Sequence, residues 1–183
     1  MLIKKVKASW LYIGRTDDND NYRVTFEVDK DLDKTIMDAL GETLRESGSK
    51  SSINKCDWRG SRSEKEGVIT YSAKCSRVFK NKKGEEVIRS LPVYDIKANL
   101  LDENTVPQSI ANGAIINLVV EPYYTKYKNK EGVMLGLRSV QLIDYEEFTG
   151  DNPYENESDE DDNAPFKNED KSLTKASEDI WEE

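Results

Sequence analysis

The sequence of 183 residues contains no histidine, and this absence narrows the functions it can serve. Histidine is the commonest general base and the commonest metal ligand in proteins. Cysteine is scarce as well, because Cys56 and Cys75 are the only two, too few to form a zinc site alone. We therefore predict that the chain is not an enzyme and that it holds no metal or cofactor.

Long apolar runs are absent too. No stretch reaches 18 apolar residues, so the sequence predicts no membrane-spanning helix. The first five residues lack the apolar stretch and small-residue cleavage site of a secretory signal peptide. The two thiols would stay reduced in a cytosol. We expect the protein in the cytoplasm of the host cell, away from membranes.

Charge is distributed unevenly along the chain. Residues 149–183 contain 13 Asp and Glu against 3 Lys, whereas residues 1–148 contain 24 Lys and Arg against 23 Asp and Glu. Within that body, residues 50–89 carry 11 basic and 5 acidic side chains. A locally basic body points to nucleic acid as its ligand, and an acidic appendage points to a separate interaction segment. We predict a domain at 1–148 and a disordered acidic tail at 149–183, because the like charges of residues 159–162 cannot pack together.

The body has the alternating pattern of β-strands. Apolar and polar residues alternate over residues 22–28 and 68–79, and further strands are predicted over 86–94, 114–124 and 133–148. Turns that contain lysine and glycine, at 81–84 and 129–132, join neighbouring strands. Five strands and one helix favour a small barrel of the OB type, although a β-sandwich fits these periodicities nearly as well.

A helix is predicted after the first of these strands. Asp31 or Asp33 would cap its N-terminus, apolar residues recur every four positions along it, and Gly48 would end it. Residues 49–66 are expected to form a long loop. A change of apolar phase near Ser139 predicts a β-bulge in the last strand.

Aromatic and basic residues are interleaved in the long loop and in both predicted hairpins. Proteins that hold single strands without sequence preference use a basic groove for the phosphates and aromatic faces for the bases, each stacked base contributing roughly 1–3 kcal/mol. The candidate DNA-binding residues on this ground are Trp58, Arg59, Tyr71, Lys74, Arg77, Phe79, Lys80, Lys82, Lys83, Tyr123, Tyr124, Lys126, Tyr127 and Lys128.

Several of these residues also fit structural roles. Tyr71 shares a predicted face with Ile69, so it suits the core as well as it suits a stacking position. Trp58 is either a lid over the core or a mobile stacking residue. Lysines in hairpin turns are commonly just solvated, and on edge strands they prevent pairing with other chains. The three tyrosines at 123–127 cannot all point inward, so at least one of them is exposed.

The order of these features resembles the single-stranded DNA-binding proteins of tailed bacteriophages. The similarity is carried by residues 21–28, by residues 74–83, and most strongly by residues 114–148, which include Val-Val-Glu-Pro-Tyr at 119–123 and Arg-Ser-Val-Gln-Leu at 138–142. The resemblance implies an OB fold, a homodimer, and binding without sequence preference during phage DNA replication, recombination and repair. It matches Tyr123 to an aromatic residue that contacts DNA, and Lys4 or Lys5 to a basic N-terminal position.

The predicted tail ends with an apolar pair among acidic residues. Disordered segments rarely keep an unprotected tryptophan, so we expect Ile180 and Trp181 to dock into a partner protein. The resemblance implies that the partners are the phage DNA polymerase and helicase–primase, and that the tail occupies the DNA groove when DNA is absent. The alternative from a different class is an OB-fold adaptor that binds RNA or protein.

Overall fold

The computed structural model describes residues 1–147, so the predicted tail with Ile180 and Trp181 lies outside the described residues. This part of the chain contains one α-helix, α1 (Lys30–Glu46), and a short 3-10 turn at Ile53–Lys55. Its strands are β1 (Leu2–Tyr12), β2 (Asn21–Val28), β3 (Trp58–Arg59), β4 (Ser63–Lys65), β5 (Val68–Ser76), β6 (Val78–Lys80), β7 (Glu86–Ile88), β8 (Val93–Tyr94), β9 (Ala114–Tyr127) and β10 (Lys130–Asp144).

Five of these strands close into a barrel. β1 pairs antiparallel with β2 and with β9, β2 pairs antiparallel with β5, and β9 pairs antiparallel with β10. β5 and β10 complete the circle in parallel, with Leu135 opposite Ala73 and Gly136 opposite Lys74. The OB-type barrel is therefore confirmed, and the sandwich alternative is wrong because one continuous sheet closes on itself.

The inward positions of the barrel strands form the core. Val24 and Phe26 of β2 are fully buried, as are Tyr71 and Ala73 of β5, and the rings of Phe26 and Tyr71 stack with their centroids 6.2 Å apart. These are the faces that the alternation predicted. The predicted bulge is also present, as a register shift between Leu137 and Ser139 in β10.

Helix α1 covers one side of the core with its apolar stripe, in which Ile36, Leu40 and Leu44 are buried. The predicted caps, Asp31 and Asp33, are wrong by two and four residues, because Asp29 accepts the Leu32 N–H at 2.8 Å and is the N-cap. The helix stops where predicted, with Gly48 in the left-handed region at φ 78°. Among residues 1–147, no helix combines the length and apolarity needed to cross a membrane.

The segment predicted as a long loop is instead partly paired. β3 adds in parallel to the start of β10, with Trp58 opposite Gly132, and β4 pairs with β5. The Trp58 carbonyl oxygen would lie 2.2 Å from a Cβ at position 132, so only glycine allows this approach. Gly132 is therefore part of β10, and the turn between β9 and β10 is shorter than the predicted 129–132.

Strand β1 was absent from the sequence prediction, and its geometry explains why. Lys5 and Trp10 adopt positive φ angles of 53° and 52°, and the registers of β1 with β9 and β2 shift near these positions. Each bulge moves the following residues to the other face of the strand. The buried residues of β1 consequently fail to alternate, which hides the strand from a period-two search.

Candidate nucleic-acid interface

One row of side chains crosses the outer surface of adjacent barrel strands. The strand registers place Tyr12 of β1 opposite Arg23 of β2, and Arg23 opposite Lys74 of β5. Lys74 lies in turn opposite Gly136 of β10. Most neighbours of these residues in sequence are buried in the barrel, so the row itself faces outward. With strands about 4.8 Å apart, the row spans about 14 Å from β1 to β10.

The ring of Tyr123 lies at the β10 end of this row. A side chain at Gly136 would begin 3.5 Å from Tyr123 Cδ1 and 3.6 Å from Cε1, so the ring crosses the strand where glycine leaves room. Tyr123 is 39% exposed. Burial raises the pKa of its hydroxyl. The row thus carries an aromatic face at each end and two cations between them.

Small side chains keep the surface beside the row open. Ser72 of β5 lies opposite Thr25 of β2, two pairs along from Lys74 and Arg23 and therefore on the same face. The Arg23 Nε donates to the Ser72 hydroxyl at 3.1 Å, which holds the guanidinium near the sheet. An arginine and a lysine side by side on an open sheet surface can contact successive phosphates.

The β9–β10 hairpin carries a second group of predicted residues at its tip. Tyr127 is 64% exposed, and the Lys128 Nζ lies 5.4 Å from the centroid of its ring. Lys126 is exposed beside them. Tyr127 lies on the same face of β9 as Tyr123, about 13 Å further along the strand. In OB folds, this hairpin and the faces of the second and third barrel strands commonly contact oligonucleotides.

Two of the tyrosines that were predicted to stack on bases instead pack against the protein and hydrogen-bond to its carboxylates. Tyr71 is fully buried, and its hydroxyl donates to Asp33 Oδ1 at 2.6 Å. Its assignment to DNA contact is wrong, because a ring inside the core cannot reach a base. Tyr124 faces the side of β9 opposite to Tyr123, packs against the core and donates to Glu131 Oε2 at 2.8 Å. That hydrogen bond raises the pKa of Tyr124, and hydrogen bonds from Ser51 and Tyr124 lower the pKa of Glu131.

The β6–β7 hairpin holds the central basic residues. Lys80, Lys82 and Lys83 are exposed around its turn, where Gly84 has the predicted positive φ, at 83°. The ring of Phe79 is covered on one face by Arg89, whose guanidinium carbon lies 3.9 Å from the ring centroid. That face is therefore occupied by a cation.

Of the predicted residues, only Lys74 and Tyr123 lie in the row, and four others lie apart from both the row and the two hairpins. Lys4 and Lys5 lie on β1, and the Lys5 N–H donates to Asn117 Oδ1 at 2.8 Å. Asn117 lies about 20 Å from Tyr123 along β9, so both lysines are far from the row. Trp58 is half-buried in β3, and Arg59 is exposed beside it.

Sequence reasoning missed the aromatic and basic residues around the end of β1. Trp10 is 62% exposed, and the Arg15 guanidinium carbon lies 5.9 Å from the centroid of the Tyr12 ring. A signal was present, because Trp10, Tyr12 and Arg15 repeat the interleaving seen in the two hairpins. Arg23 was also readable, as an outward position of the alternating segment 22–28.

Comparison with known proteins agrees with the barrel. No protein-family model matches the sequence, and no curated protein matches it. The single-stranded DNA-binding protein from bacteriophage Enc34 is similar in structure, with a TM-score of 0.58, 18% identity, and coverage of 84% of this chain and 86% of that chain. Its structure in complex with single-stranded DNA gives a TM-score of 0.56, 16% identity, and coverage of 80% and 86%.

Gp2.5, a single-stranded DNA-binding protein encoded by bacteriophage T7, is also similar. Its crystal structure gives a TM-score of 0.60 and 19% identity, covering 84% of this chain and 91% of that chain. At identities this low, the structural similarity establishes a shared fold and nothing finer. The chain therefore has the same barrel architecture as phage proteins that bind single-stranded DNA.

Proposed function

We propose that this chain binds single-stranded DNA without sequence preference and serves phage DNA replication, recombination and repair. The observation that carries the proposal is the row from Tyr12 through Arg23 and Lys74 to the Tyr123 ring. Aromatic faces accept any base, and the cations between them neutralise phosphates, which carry no sequence information. The solved proteins with this barrel, which are named for binding single-stranded DNA, lend further support.

The same arrangement favours single strands over duplex. Stacking on Tyr12 or Tyr123 requires the flat face of a base, which a duplex keeps inside its own stack. The β9–β10 hairpin, with Tyr127 and Lys128 at its tip, would extend contact beyond the row. We propose a binding protein rather than an enzyme, acting in the host cytoplasm as a homodimer, as the family resemblance implies.

The acidic segment 149–183 is proposed to have two roles. Ile180 and Trp181 would recruit the DNA polymerase and helicase–primase, while the surrounding carboxylates would compete with DNA for the basic surface. Tethering gives such a segment an effective concentration on the order of millimolar, enough for weak attraction to matter. Deleting residues 151–183 should therefore raise DNA affinity, most strongly at low salt, where screening is weak. Unchanged affinity at every salt concentration would leave recruitment as the only proposed role.

Titration of a fluorescent oligonucleotide tests the central proposal. Single-stranded DNA should bind well above duplex of the same length, and the affinity should fall with salt by about 0.7 log units per log unit of salt for each phosphate neutralised. Equal affinity for duplex, or no dependence on salt, would contradict it. A strong preference for RNA over DNA in competition would favour the adaptor alternative.

A further inference from the structure

A groove lined by three arginines lies beside the row, at the end of the barrel. Its volume is about 390 Å³, and Arg15, Arg77, Arg89, Tyr22 and Glu103 are among its lining residues. Glu103 is the one acidic residue among the described lining residues, and Arg77 is paired with Asp20 outside the lining, Nη1 to Oδ1 3.7 Å, so Arg15 and Arg89 carry the charge that is free for a ligand. A concave surface with this balance of charge is suited to an anion.

Arg89 is held in this groove, and no carboxylate of residues 1–147 pairs with it. Its guanidinium stacks on Phe79, its Nη1 lies 3.7 Å from Cys75 Sγ, and its backbone N–H donates to the Arg77 carbonyl at 2.8 Å. Within residues 1–147 its Nε is buried without a hydrogen-bond partner. A partly desolvated cation of this kind is stabilised when an anion binds beside it.

Arg15 connects the groove to the row. The chain packs so closely at Gly14 that a Cβ there would lie 2.4 Å from the Pro107 carbonyl oxygen, and this contact fixes the position of the next residue. The Arg15 guanidinium reaches back towards the ring of Tyr12, the first residue of the row. A strand lying on Tyr12 would therefore reach Arg15 next.

We propose that this arginine groove binds backbone phosphates of the same DNA strand where it leaves the barrel surface beyond Tyr12. The inference rests on the proposed function, since the strand must first occupy the row. Guanidinium forks match phosphate oxygens and stay charged at any physiological pH. Phe79 then acts as a positioning residue for Arg89, instead of stacking on a base, and Glu103 opposes binding by repulsion.

Oligonucleotide length separates the groove from the row. Fluorescent oligo-dT of about 4 to 16 nucleotides, the range of site sizes for one OB fold, would be titrated into the full chain and into R15Q and R89Q. The shortest strands fill only the row and should bind all proteins equally. Longer strands should bind each variant about tenfold more weakly, and the salt slope should fall by about 0.7 per lost phosphate contact.

Two further variants sharpen the test. E103Q removes the opposing carboxylate and should tighten the binding of long strands alone, an effect of opposite sign that cannot result from unfolding. R45Q, on the last turn of α1 and outside the groove, is the matched arginine control and should leave every length unchanged. If R89Q does not fold, R15Q and E103Q still decide the question, because the Arg15 guanidinium carbon lies 5.9 Å from the Tyr12 ring, against 3.9 Å between Arg89 and Phe79, and Glu103 is exposed.

The outcomes keep the two proposals distinct. If the unaltered chain binds no single strand at all, the proposed function fails. If it binds but the groove variants lose affinity equally at every length, or at none, only the groove inference is overturned. A thermal-shift experiment with inorganic phosphate tests the alternative ligand. If phosphate raises the melting temperature, R15Q abolishes that rise, and the variants show no length-dependent effect on DNA, the groove is a site for free phosphate. That result would overturn the proposal that the DNA strand enters the groove.

Discussion

The tyrosines of the barrel fall into two regions with opposite surroundings. On the side covered by α1 and the β3 segment, the hydroxyls of Tyr71 and Tyr124 donate to carboxylates, at 2.6 and 2.8 Å. On the outer row, neither Tyr12 nor Tyr123 has a hydroxyl partner among residues 1–147. A hydroxyl bound to a carboxylate fixes its ring for packing, whereas an exposed ring without such a bond leaves a face for a ligand.

The comparison also separates two uses of arginine. Arg62, on the α1 side, binds Asp33 through Nε at 2.8 Å and Nη2 at 3.0 Å, and Asp33 in turn accepts the Tyr71 hydroxyl. Arg23, on the row, has a serine hydroxyl as its partner. A guanidinium paired with a carboxylate stabilises the fold, while one held by a neutral group keeps its charge available for phosphate.

The largest expected effect comes from breaking the buried side of this comparison. Tyr71→Ala removes a ring stacked on Phe26 and should cost about 3–5 kcal/mol in the free energy of unfolding. Urea denaturation followed by circular dichroism measures it. DNA affinity of the fraction that remains folded should not change. Loss of affinity with full stability would mean that the ring meets DNA after all.

A smaller effect, in binding instead of stability, is expected on the outer row. Tyr123→Ala and Tyr12→Ala should each weaken single-strand binding by about 1–3 kcal/mol, because each removes one stacking face. The urea midpoint should stay close to that of the unaltered chain. Tyr124→Phe is the matched control, since it loses only the bond to Glu131 and should leave affinity unchanged. Equal losses of DNA affinity in the Tyr123 and Tyr124 variants would contradict the distinction between the two regions.

The smallest of the three effects concerns pH. The hydrogen bonds from Arg62 hold the pKa of Asp33 below its ordinary value of 3.8. A lowered pKa in the folded state contributes stability above pH 4 that is lost as the pH falls through the folded pKa. Asp33→Asn should therefore be less stable than the unaltered chain at pH 7, and the difference should shrink towards pH 3. A constant difference across that range would mean that the charge of Asp33 contributes nothing.

The fold could be predicted from sequence wherever the strands alternate regularly. Residues 22–28 and 68–76 have one polar and one apolar face, so their inward residues were identified correctly. The bulged strand β1 could not be found in this way, because positive φ angles at Lys5 and Trp10 break the alternation. Closure of the barrel by β5 and β10 was also beyond periodicity, since pairing partners so far apart leave no local pattern.

The candidate site was predicted in composition but only partly in position. Residue type indicated tyrosine, lysine and arginine as the chemistry of the proposed single-strand surface, and alternation alone separates Tyr123 from Tyr124. Alternation could not decide whether Tyr71 lies in the core or on the surface, since both positions give the same sequence pattern. Phe79 was expected to offer its ring to a base, but Arg89, ten residues later, covers one face of that ring. The hairpin brings the two residues together, and no local sequence pattern indicates this contact.

The parallel pairing of β5 with β10 has a consequence for how the chain folds. Neighbouring strands β1, β2 and β5 can associate early, but the barrel stays open until β10, the last strand of the described residues, is in place. Contacts between distant parts of a chain form slowly, typically within milliseconds to seconds in barrels of this kind. During synthesis the unpaired edge of β5, which carries Lys74, would stay open while the segment up to β9 emerges. The charge of Lys74 would then discourage the nascent chain from pairing with other molecules before it pairs with β10.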